Sequence, residues 1–503
     1  MAFSPTKLLS TLSLFGFVSS TFAAPSVSTD SLQLRHDLLL LKDSGQIEGP
    51  VMAWPYPTAR TYTSSSKSSE PSTDYQLPRT NIEDVYSQQS QLGWNSATTT
   101  LAFASSPLPF RSFGYQPREE FESTFSASFL STWTSGTLNV TYDGDELHLD
   151  GSSFAIAIGN WSAAIDQVSR WWGPGWDGSL ILSNNARPIP AISLTRIDDK
   201  PFEHPLLHWI GPWTATTFMG QLDNDEGDRD GSNARLFGIR FETSPFNWNW
   251  LDIGLSRTAQ WAGDGRPQSW ETFKMLLLGE DNRTPNSNVT EETEPGNQLA
   301  GGDYRITIPQ WNFAQYGQIV GEDEDGFLPD ANMLLFGAET WGTLNSLNAT
   351  WRAYYEWSDT RAGHLLAHSR NDKGVNAAYN HGIYRTGYRS EGQSMGHAID
   401  GDSLMHSLGF FLIPESGNLY GLKIRDYQIN RDGTGIHGIS QAPLDGNSLE
   451  AFASLQIENR RLKIWSDTPI QLNIGLFYNQ EKNLTNNQTD TDLGGYLSIT
   501  AKL

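Results

Sequence analysis

Residues 348–359 read NATWRAYYEWSD and have the clearest alternating pattern in the chain. Trp351, Tyr355 and Trp357 occupy one set of alternate positions, whereas Arg352 and Glu356 occupy the other. Strict alternation over this length is typical of a half-buried β-strand, because successive side chains of a strand point to opposite faces. The pattern therefore predicts a strand with one aromatic face and one charged face.

The same period of two recurs from about Trp94 to Leu503. The clearest further examples are residues 153–159, 235–242, 470–478 and 497–503. A soluble β-sandwich gives similar alternation, but here the polar faces carry Arg, Glu and Gly while the apolar faces are rich in aromatic residues. That combination fits lipid outside and water inside, with girdles of Trp and Tyr at the two interfaces. We therefore predict an all-β transmembrane antiparallel β-barrel, with a soluble all-β protein as the alternative.

The length of the alternating region bounds the number of strands. About 400 residues, at roughly 10 per spanning strand plus connections, allow about 16 to 20 strands. A barrel of that width is expected to have a wet lumen without a large central core, in agreement with a hydrophobic content of only 38%. Charged side chains on the strands are expected to point into this lumen and form ion pairs. The residues concerned are Arg240, Arg257, Arg305 and Arg352, with acids such as Asp252, Asp303 and Glu356.

Composition excludes several classes of function. The 503 residues include 34 Lys and Arg against 57 Asp and Glu, a net charge of −23, which argues against a nucleic-acid partner because nothing would neutralise phosphates. The chain has no cysteine, so it has no disulfide framework, thiolate metal site or cysteine nucleophile. The sequence also lacks a nucleophile elbow, a Walker loop, an HExxH motif and a dinucleotide fingerprint in context. No cofactor is predicted.

The N-terminus is predicted to be a signal peptide over residues 1–23. Lys7 precedes an apolar stretch at residues 8–18, and small residues then lead to a cleavage site near Ala23. No later apolar run approaches the roughly 18 residues that a transmembrane helix requires.

Residues 24–93 are predicted to form a small helical region, followed by the barrel over residues 94–503. Asp30 is the expected N-cap of a helix over residues 32–41, and Gly45 lies where the helix should end. A second helix is expected over residues 80–91, capped by Thr80 or Asn81. Residues 61–73 are rich in Ser and are predicted to be a linker.

Several short motifs resemble, in order, those of the capsule assembly Wzi family. They lie at residues 110–114, 117–120, 170–183, 211–213, 254–261, 294–301 and 430–433. The resemblance covers nearly the whole chain and implies an outer-membrane barrel of 18 strands with a small α-helical bundle on the periplasmic side. It also implies a surface lectin of Gram-negative cells that holds capsular or extracellular polysaccharide and has no catalytic activity. The implied partners are that polysaccharide, outer-membrane lipid and the barrel-assembly machinery during insertion.

One segment of that motif set combines the groups with which proteins hold sugars. Flat aromatic rings cover the apolar faces of sugars, and planar polar side chains form paired hydrogen bonds with their hydroxyls. The candidates for polysaccharide contact in this segment are Arg170, Trp171, Trp172, Trp176 and Asp177. Further candidates are Arg257, Trp261, Glu322, Asp323 and Glu324. The alternative for residues 170–177 is a structural plug, in which the Trp rings pack inside the barrel and Arg170 pairs with a carboxylate.

The acidic run at residues 322–325 has three interpretations. Glycoside hydrolysis needs two carboxylates held apart around a cleft with different pKa values, which adjacent residues provide poorly. A calcium site needs several oxygen ligands on a looped backbone, and Gly321 and Gly326 permit such a loop. A solvated loop, or a lumenal ion-pair partner for Arg, is the preferred interpretation, so no metal site is predicted. The two functions in view are a non-enzymatic outer-membrane lectin and, alternatively, a secreted β-rich glycan-active hydrolase.

Overall fold

Eighteen antiparallel strands close into a barrel in the computed structural model of the chain. The structure describes residues 26–60, 76–223, 232–278, 296–325, 328–363, 376–431, 433–434, 437–457 and 470–503, without the side chains of residues 278, 323–325, 328–331, 363 and 456–457. The predicted signal peptide at residues 1–23 and the Ser-rich stretch at residues 61–73 lie outside the described residues. The predicted division of the chain into a helical region at residues 24–93 and a barrel at residues 94–503 stays a prediction.

The first six strands are β1 (Gly93–Ala104), β2 (Phe121–Leu130), β3 (Thr134–Tyr142), β4 (Ser152–Ile158), β5 (Trp161–Gln167) and β6 (Ala191–Arg196). The next six are β7 (Trp213–Gln221), β8 (Arg235–Thr243), β9 (Leu251–Trp261), β10 (Gly296–Ile308), β11 (Phe313–Asp325) and β12 (Leu328–Leu344). The last six are β13 (Ala349–Gly363), β14 (Leu404–Pro414), β15 (Leu419–Ile429), β16 (Leu444–Ile457), β17 (Ile470–Asn483) and β18 (Thr489–Lys502). Each strand pairs with the next and β18 pairs with β1, while the two-residue strand Leu147–His148 also pairs with β3. The predicted barrel and strand number are confirmed.

Three α-helices accompany the barrel: α1 (Leu32–Asp43), α2 (Gln76–Gln89) and α3 (Trp270–Leu278). Single 3-10 turns occur at His208–Ile210, Pro245–Asn247 and Pro309–Trp311. Both N-terminal helices were predicted, but their caps differ. Ser31, rather than Asp30, caps α1 by accepting a hydrogen bond from the Leu34 amide at 3.4 Å. Thr80 lies inside α2, where its hydroxyl donates to the Gln76 carbonyl.

Among the described residues, the structure contains no helix that is both long enough and apolar enough to cross a membrane.

The two faces of the barrel wall differ as the alternation predicts. On β13, Arg352 and Glu356 point inward and are buried, whereas Tyr355 on the outer face is 45% exposed. Exposed aliphatic side chains form a belt around the outside, including Ile156, Ile165, Ile192, Leu255, Leu408, Leu422, Ile424, Ile474 and Leu476. A girdle of exposed tryptophans lies at one end of the barrel: Trp94, Trp133, Trp209, Trp248, Trp250 and Trp311. An apolar belt flanked by aromatic residues is the lipid-facing surface of a membrane barrel.

The connections orient the barrel in the membrane. Five of the eight connections at the girdle end, namely 131–133, 159–160, 309–312, 345–348 and 415–418, are two to four residues long, and the longest, 197–212, has 16 residues. The opposite end carries the connections 105–120, 168–190 and 364–403. Outer-membrane barrels have short periplasmic turns and longer extracellular loops. The girdle end is therefore periplasmic and the opposite end extracellular.

The lumen is not the wide aqueous space that the sequence predicts. A hydrophobic cluster fills much of it and joins α1, the strand Ala53–Trp54 and residues 171–182 to inward-facing wall residues. Leu38, Trp171 and Leu180 in this cluster have no exposed surface. The prediction was wrong because it counted apolar residues only on the strands. The apolar residues that fill the barrel come from the N-terminal segment and from two connections, residues 168–190 and 376–403.

Charged residues inside the barrel form paired networks. Arg305 on β10 binds both oxygens of Asp43 at the end of α1, at 2.6 and 2.8 Å, and also binds Glu339 on β12. Arg352 on β13 lies 2.7 Å from Glu339 and 3.5 Å from Asp43. A separate cluster places Arg240 on β8 against Glu242 and Asp303. The prediction of inward-facing, paired arginines is confirmed for these three residues. Asp252 pairs with Lys42 of α1 at 2.9 Å, not with an arginine.

Leu255 provides a test of the belt, because it is 58% exposed at the middle of β9. Replacing Leu255 with Arg places a charge in the hydrocarbon region, which costs roughly 2–4 kcal/mol near the bilayer midplane. We expect less folded barrel in the outer membrane, measured as the fraction of protein whose gel mobility shifts on boiling. The matched control is Leu493→Arg at the extracellular end of β18, where the same substitution costs about 0–1 kcal/mol. Equal losses in the two variants would contradict this position of the belt.

Candidate functional site

The connection between β5 and β6, residues 168–190, returns into the barrel and is termed the plug segment. Every residue from 170 to 186 is buried. The strand Trp171–Trp172 pairs antiparallel with Ala53–Trp54 of the N-terminal segment. The candidate residues at 170–177 therefore lie together inside the lumen. There, the backbones of the plug segment and the N-terminal segment form hydrogen bonds with each other.

The aromatic rings of the plug segment pack against both the wall and α1. The Trp176 indole donates to Glu339 at 2.7 Å, and its ring contacts Phe411 on β14. The Arg35 guanidinium of α1 lies 4.4 Å from the centre of the Trp176 ring, a cation–π distance. Trp171 donates its indole hydrogen to the Gly175 carbonyl at 3.1 Å. The indole N–H groups of Trp171 and Trp176 therefore both donate to an acceptor, as those of buried tryptophans usually do.

A wall carboxylate holds the tight turn of the plug segment. Glu356 on β13 accepts hydrogen bonds from the backbone amides of Trp176 at 2.9 Å and Gly178 at 2.7 Å. Two glycines are required at this turn. A Cβ atom at Gly178 would lie 2.0 Å from the His397 ring, and one at Gly175 would lie 2.2 Å from the Gly178 carbonyl oxygen. Close packing against neighbours therefore explains the glycines of the motif.

Asp177 joins the plug segment to the extracellular half of the wall. Its carboxylate binds Arg425 on β15 at 2.8 and 2.9 Å and Lys423 at 2.9 Å. Glu450 on β16 lies 3.3 Å from the other side of Arg425. Burial raises the pKa of Asp177, but the charges of Arg425 and Lys423 outweigh it and hold the pKa below its usual value. Asp177 is therefore ionised and forms ion pairs with two cations of the wall, Arg425 and Lys423.

Arg170 pairs with Asp166 at the end of β5, at 2.6 Å, and its guanidinium lies 4.3 Å from the centre of the Phe218 ring. Trp172 packs against the same ring, with 5.6 Å between ring centres. These contacts are the ones that the plug interpretation describes. The polysaccharide contact predicted for residues 170–177 stays a prediction.

The second group of candidates does not join the first. Arg257 was predicted to point into the lumen, and this is wrong: it shares the outer face of β9 with Leu255. Its guanidinium donates to the Leu276 and Leu277 carbonyls at the end of α3, which lies outside the wall. Trp261 on the same face is covered by α3, with 5.1 Å between the centres of its ring and that of Phe273. The arginine caps the last turn of the helix, where carbonyls lack helical partners.

The acidic run is also not a simple solvated loop. Residues up to 325 belong to β11, and Glu322 is buried, with its carboxylate accepting from the Tyr379 amide at 2.6 Å. The solvated-loop interpretation is therefore wrong for Glu322. The side chains of Asp323 and Glu324 lie outside the described residues. In the described part of the chain, no cluster of three or more His, Asp or Glu side chains is placed to hold a metal ion.

Among the cavities that adjoin the plug segment in the described part of the chain, two exceed 300 Å³. A cavity of about 340 Å³ lies between α2 and the inward faces of β1 to β7, and seven serines and three threonines are among the residues that line it. A second cavity, of about 360 Å³, lies at the extracellular end against the 105–120 connection. Arg111, Arg118 and Arg187 line the second cavity. Sequence reasoning did not select these arginines as site residues, although the motifs 110–114 and 117–120 belong to the family resemblance.

Asp177→Asn tests how strongly the plug segment is held. The substitution preserves the shape of the side chain but leaves Arg425 and Lys423 without their shared anion, and breaking a buried ion pair costs roughly 3–5 kcal/mol. We expect a loss of that size in the free energy of unfolding, measured by urea denaturation of the barrel in detergent. Asp145→Asn, in the exposed turn after β3, is the matched control and should cost less than about 0.5 kcal/mol. Equal stability of the two variants would show that the plug segment is not fixed by this ion pair.

The family described as capsule assembly protein Wzi matches residues 89–492. A Klebsiella pneumoniae protein described as an uncharacterized 55.8 kDa protein in the cps region is 30% identical over 367 residues, which are 71% of this chain and 69% of that protein. The structure of Escherichia coli Wzi, described as an outer membrane protein involved in group 1 capsule assembly and a carbohydrate-binding β-barrel, matches with a TM-score of 0.77. That match has 25% identity and covers 95% of this chain and 99% of the other.

These matches agree with the closed barrel, its apolar belt and its tryptophan girdle, and the protein is an outer-membrane β-barrel. The family match extends over most of the strands that the structure describes. The chain belongs to the capsule assembly protein Wzi family.

Proposed function

We propose that this protein binds capsular or extracellular polysaccharide at the extracellular end of its barrel and keeps it attached to the cell surface, without catalysing a reaction. The observation that carries the proposal is the filled lumen. Packed residues of α1, the plug segment and the wall occupy the path that a polymer would need to pass through the barrel. The protein is therefore suited to hold a polymer at its outer face and not to conduct one.

The similarities to known proteins support polysaccharide as the ligand. Escherichia coli Wzi is described as carbohydrate-binding and as involved in group 1 capsule assembly, and the Klebsiella relative lies in a cps region. In our proposal the apolar belt contacts outer-membrane lipid, and the barrel-assembly machinery inserts the chain. Residues 170–177 hold the plug segment in place beneath the binding surface, a role supported by their burial and their contacts with the wall.

Deleting the gene for this protein tests the proposed attachment. We expect the total polysaccharide to be unchanged and the cell-attached fraction to fall, because the polymer loses its holder but not its synthesis. Attached and released polysaccharide should be measured in the deletion strain and in the same strain complemented with the full chain. An unchanged attached fraction would contradict the proposal. Shortening of isolated polysaccharide by the purified protein would instead favour the glycan-active hydrolase.

Trp172→Ala distinguishes the two interpretations of the plug segment. Truncating a buried tryptophan costs roughly 3–5 kcal/mol, so we expect less folded barrel. Under a supporting role, polysaccharide retention per folded barrel stays at the level of the parent protein. Retention and the heat-shifted barrel band should therefore be measured in the same cells. Normal barrel levels with lost retention would show direct contact between this segment and the polysaccharide.

A further inference from the structure

Three arginines surround the cavity of about 360 Å³ at the extracellular end, which is termed the arginine pocket. The 105–120 connection, the hairpin around residues 389–394 and residues 438–439 enclose it. Its lining consists of Pro107, Leu108, Pro109, Arg111, Arg118, Glu119, Arg187, Glu391, Gln393, Gly438 and Ile439. Apolar and cationic side chains thus meet in a concave surface at the end of the barrel that faces away from the cell.

Three carboxylates of this region form ion pairs with one of the three arginines. Arg187 lies 2.9 Å from Glu119, 2.8 Å from Asp150 and 3.3 Å from Glu391. Its charge is therefore compensated by the protein itself.

The other two guanidiniums bind backbone carbonyls. Arg118 donates to the Asn184 and Asn185 carbonyls at 3.0 Å each. Arg111 donates to the Arg118 carbonyl at 2.9 Å and to the Asn185 carbonyl at 3.4 Å. Among the residues that the structure describes, neither guanidinium has a carboxylate within 4.0 Å. Carbonyl groups satisfy these N–H donors but do not neutralise the charge.

Burial makes the uncompensated charge costly. Arg111 is only 8% exposed, and its Nε atom has no hydrogen-bond partner in the described part of the protein. Burial, together with the neighbouring charge of Arg118, lowers the pKa of Arg111 to about 9. The carboxylate of Glu122, which lies near both arginines, accepts hydrogen bonds from the backbone amides of Arg118 and Glu119. A chain with a net charge of −23 thus keeps two cations at one pocket whose guanidiniums contact no described carboxylate. Asp150 and Glu122 act on Arg118, and Glu122 and Glu119 on Arg111, only at longer range. An anionic ligand in the pocket would pair with these cations directly.

We infer that the arginine pocket binds a carboxylate-bearing sugar, a uronic acid unit of the polysaccharide. The guanidinium group matches a carboxylate in shape and charge, and such hydrogen bonds are stronger than neutral ones. Pro107, Pro109 and Ile439 offer apolar surface to the C–H face of the same sugar. This inference rests on the proposed function and names the class of polymer that the outer face selects.

Binding of two matched oligosaccharides tests the pocket. The full-length protein in detergent is titrated with a fluorescently labelled hexamer of galacturonic acid and with its fully methyl-esterified counterpart, and fluorescence anisotropy reports affinity. We expect the acid to bind at least tenfold more tightly than the ester, and we expect this difference to shrink at high salt because salt screens the charge. Equal affinities for acid and ester would overturn the inference.

Substitutions assign the binding to these arginines. Arg118→Gln should weaken binding of the acid about tenfold, the loss expected for one hydrogen bond between charged groups, and Arg118→Lys should restore part of it. Gln393→Glu adds a carboxylate to the pocket and leaves both arginines in place, so it should weaken binding even if Arg118→Gln fails to fold. The matched control, Arg431→Gln, removes the same charge from an exposed position at the same end and should change affinity less than twofold. The inference fails if Gln393→Glu leaves affinity unchanged or if the control weakens binding equally.

The same variants in cells separate this inference from the proposed function. If deletion of the gene releases no polysaccharide, the proposed function itself is wrong. If deletion releases the polymer but cells with Gln393→Glu retain a uronic acid-containing polysaccharide in full, only the assignment to the arginine pocket is wrong. Loss of retention in both strains supports the two together.

Discussion

The ion-pair network between α1 and the wall is the interaction on which the rest of the structure depends. Arg305 and Arg352 project inward from β10 and β13 and lie between Asp43 of α1 and Glu339 of β12. Buried charges are costly unless each is paired, and removing one partner leaves another charge exposed to a low-dielectric interior. Because Asp43 is supplied by α1, the wall reaches electrostatic balance only when the helix is seated in the lumen.

The same network connects to the plug segment. Glu339 also accepts the indole hydrogen of Trp176, and the Arg35 guanidinium of α1 stacks on that ring. Asp177 continues the connection to Arg425 near the extracellular half of the barrel. Helix, plug segment and wall thus form one packed unit between the two ends of the barrel. The polypeptide that closes the lumen also supports the outer surface at which the polysaccharide is proposed to bind.

Local patterns predicted the wall well but not what fills it. Alternation on residues 348–359 correctly assigned Arg352 and Glu356 to the inner face, because side-chain direction on a strand follows from position alone. The error at Arg257 came from placing a charge in the lumen against the alternation, since Arg257 shares its parity with Leu255. The filled lumen depends on contacts such as that between Asp177 and Arg425, which are 248 residues apart. No rule based on sequence spacing predicts a contact between residues so far apart in the chain.

The candidate site also has one part that the sequence predicted and another that it did not. Residues 170–177 were recognised as an unusual group of rings and planar polar side chains, and the structure brings all of them together. Which of their partners are wall residues could not be read from spacing. At Arg111 and Arg118 the informative property is the lack of carboxylate partners among the described residues, and only the folded arrangement shows it.

Ion conductance across a planar lipid bilayer tests the filled lumen most directly. The full chain, inserted into such a bilayer, is expected to show no steady channel current, because α1 and the plug segment occupy the interior. A stable current of the size carried by an open barrel of 18 strands would contradict this account.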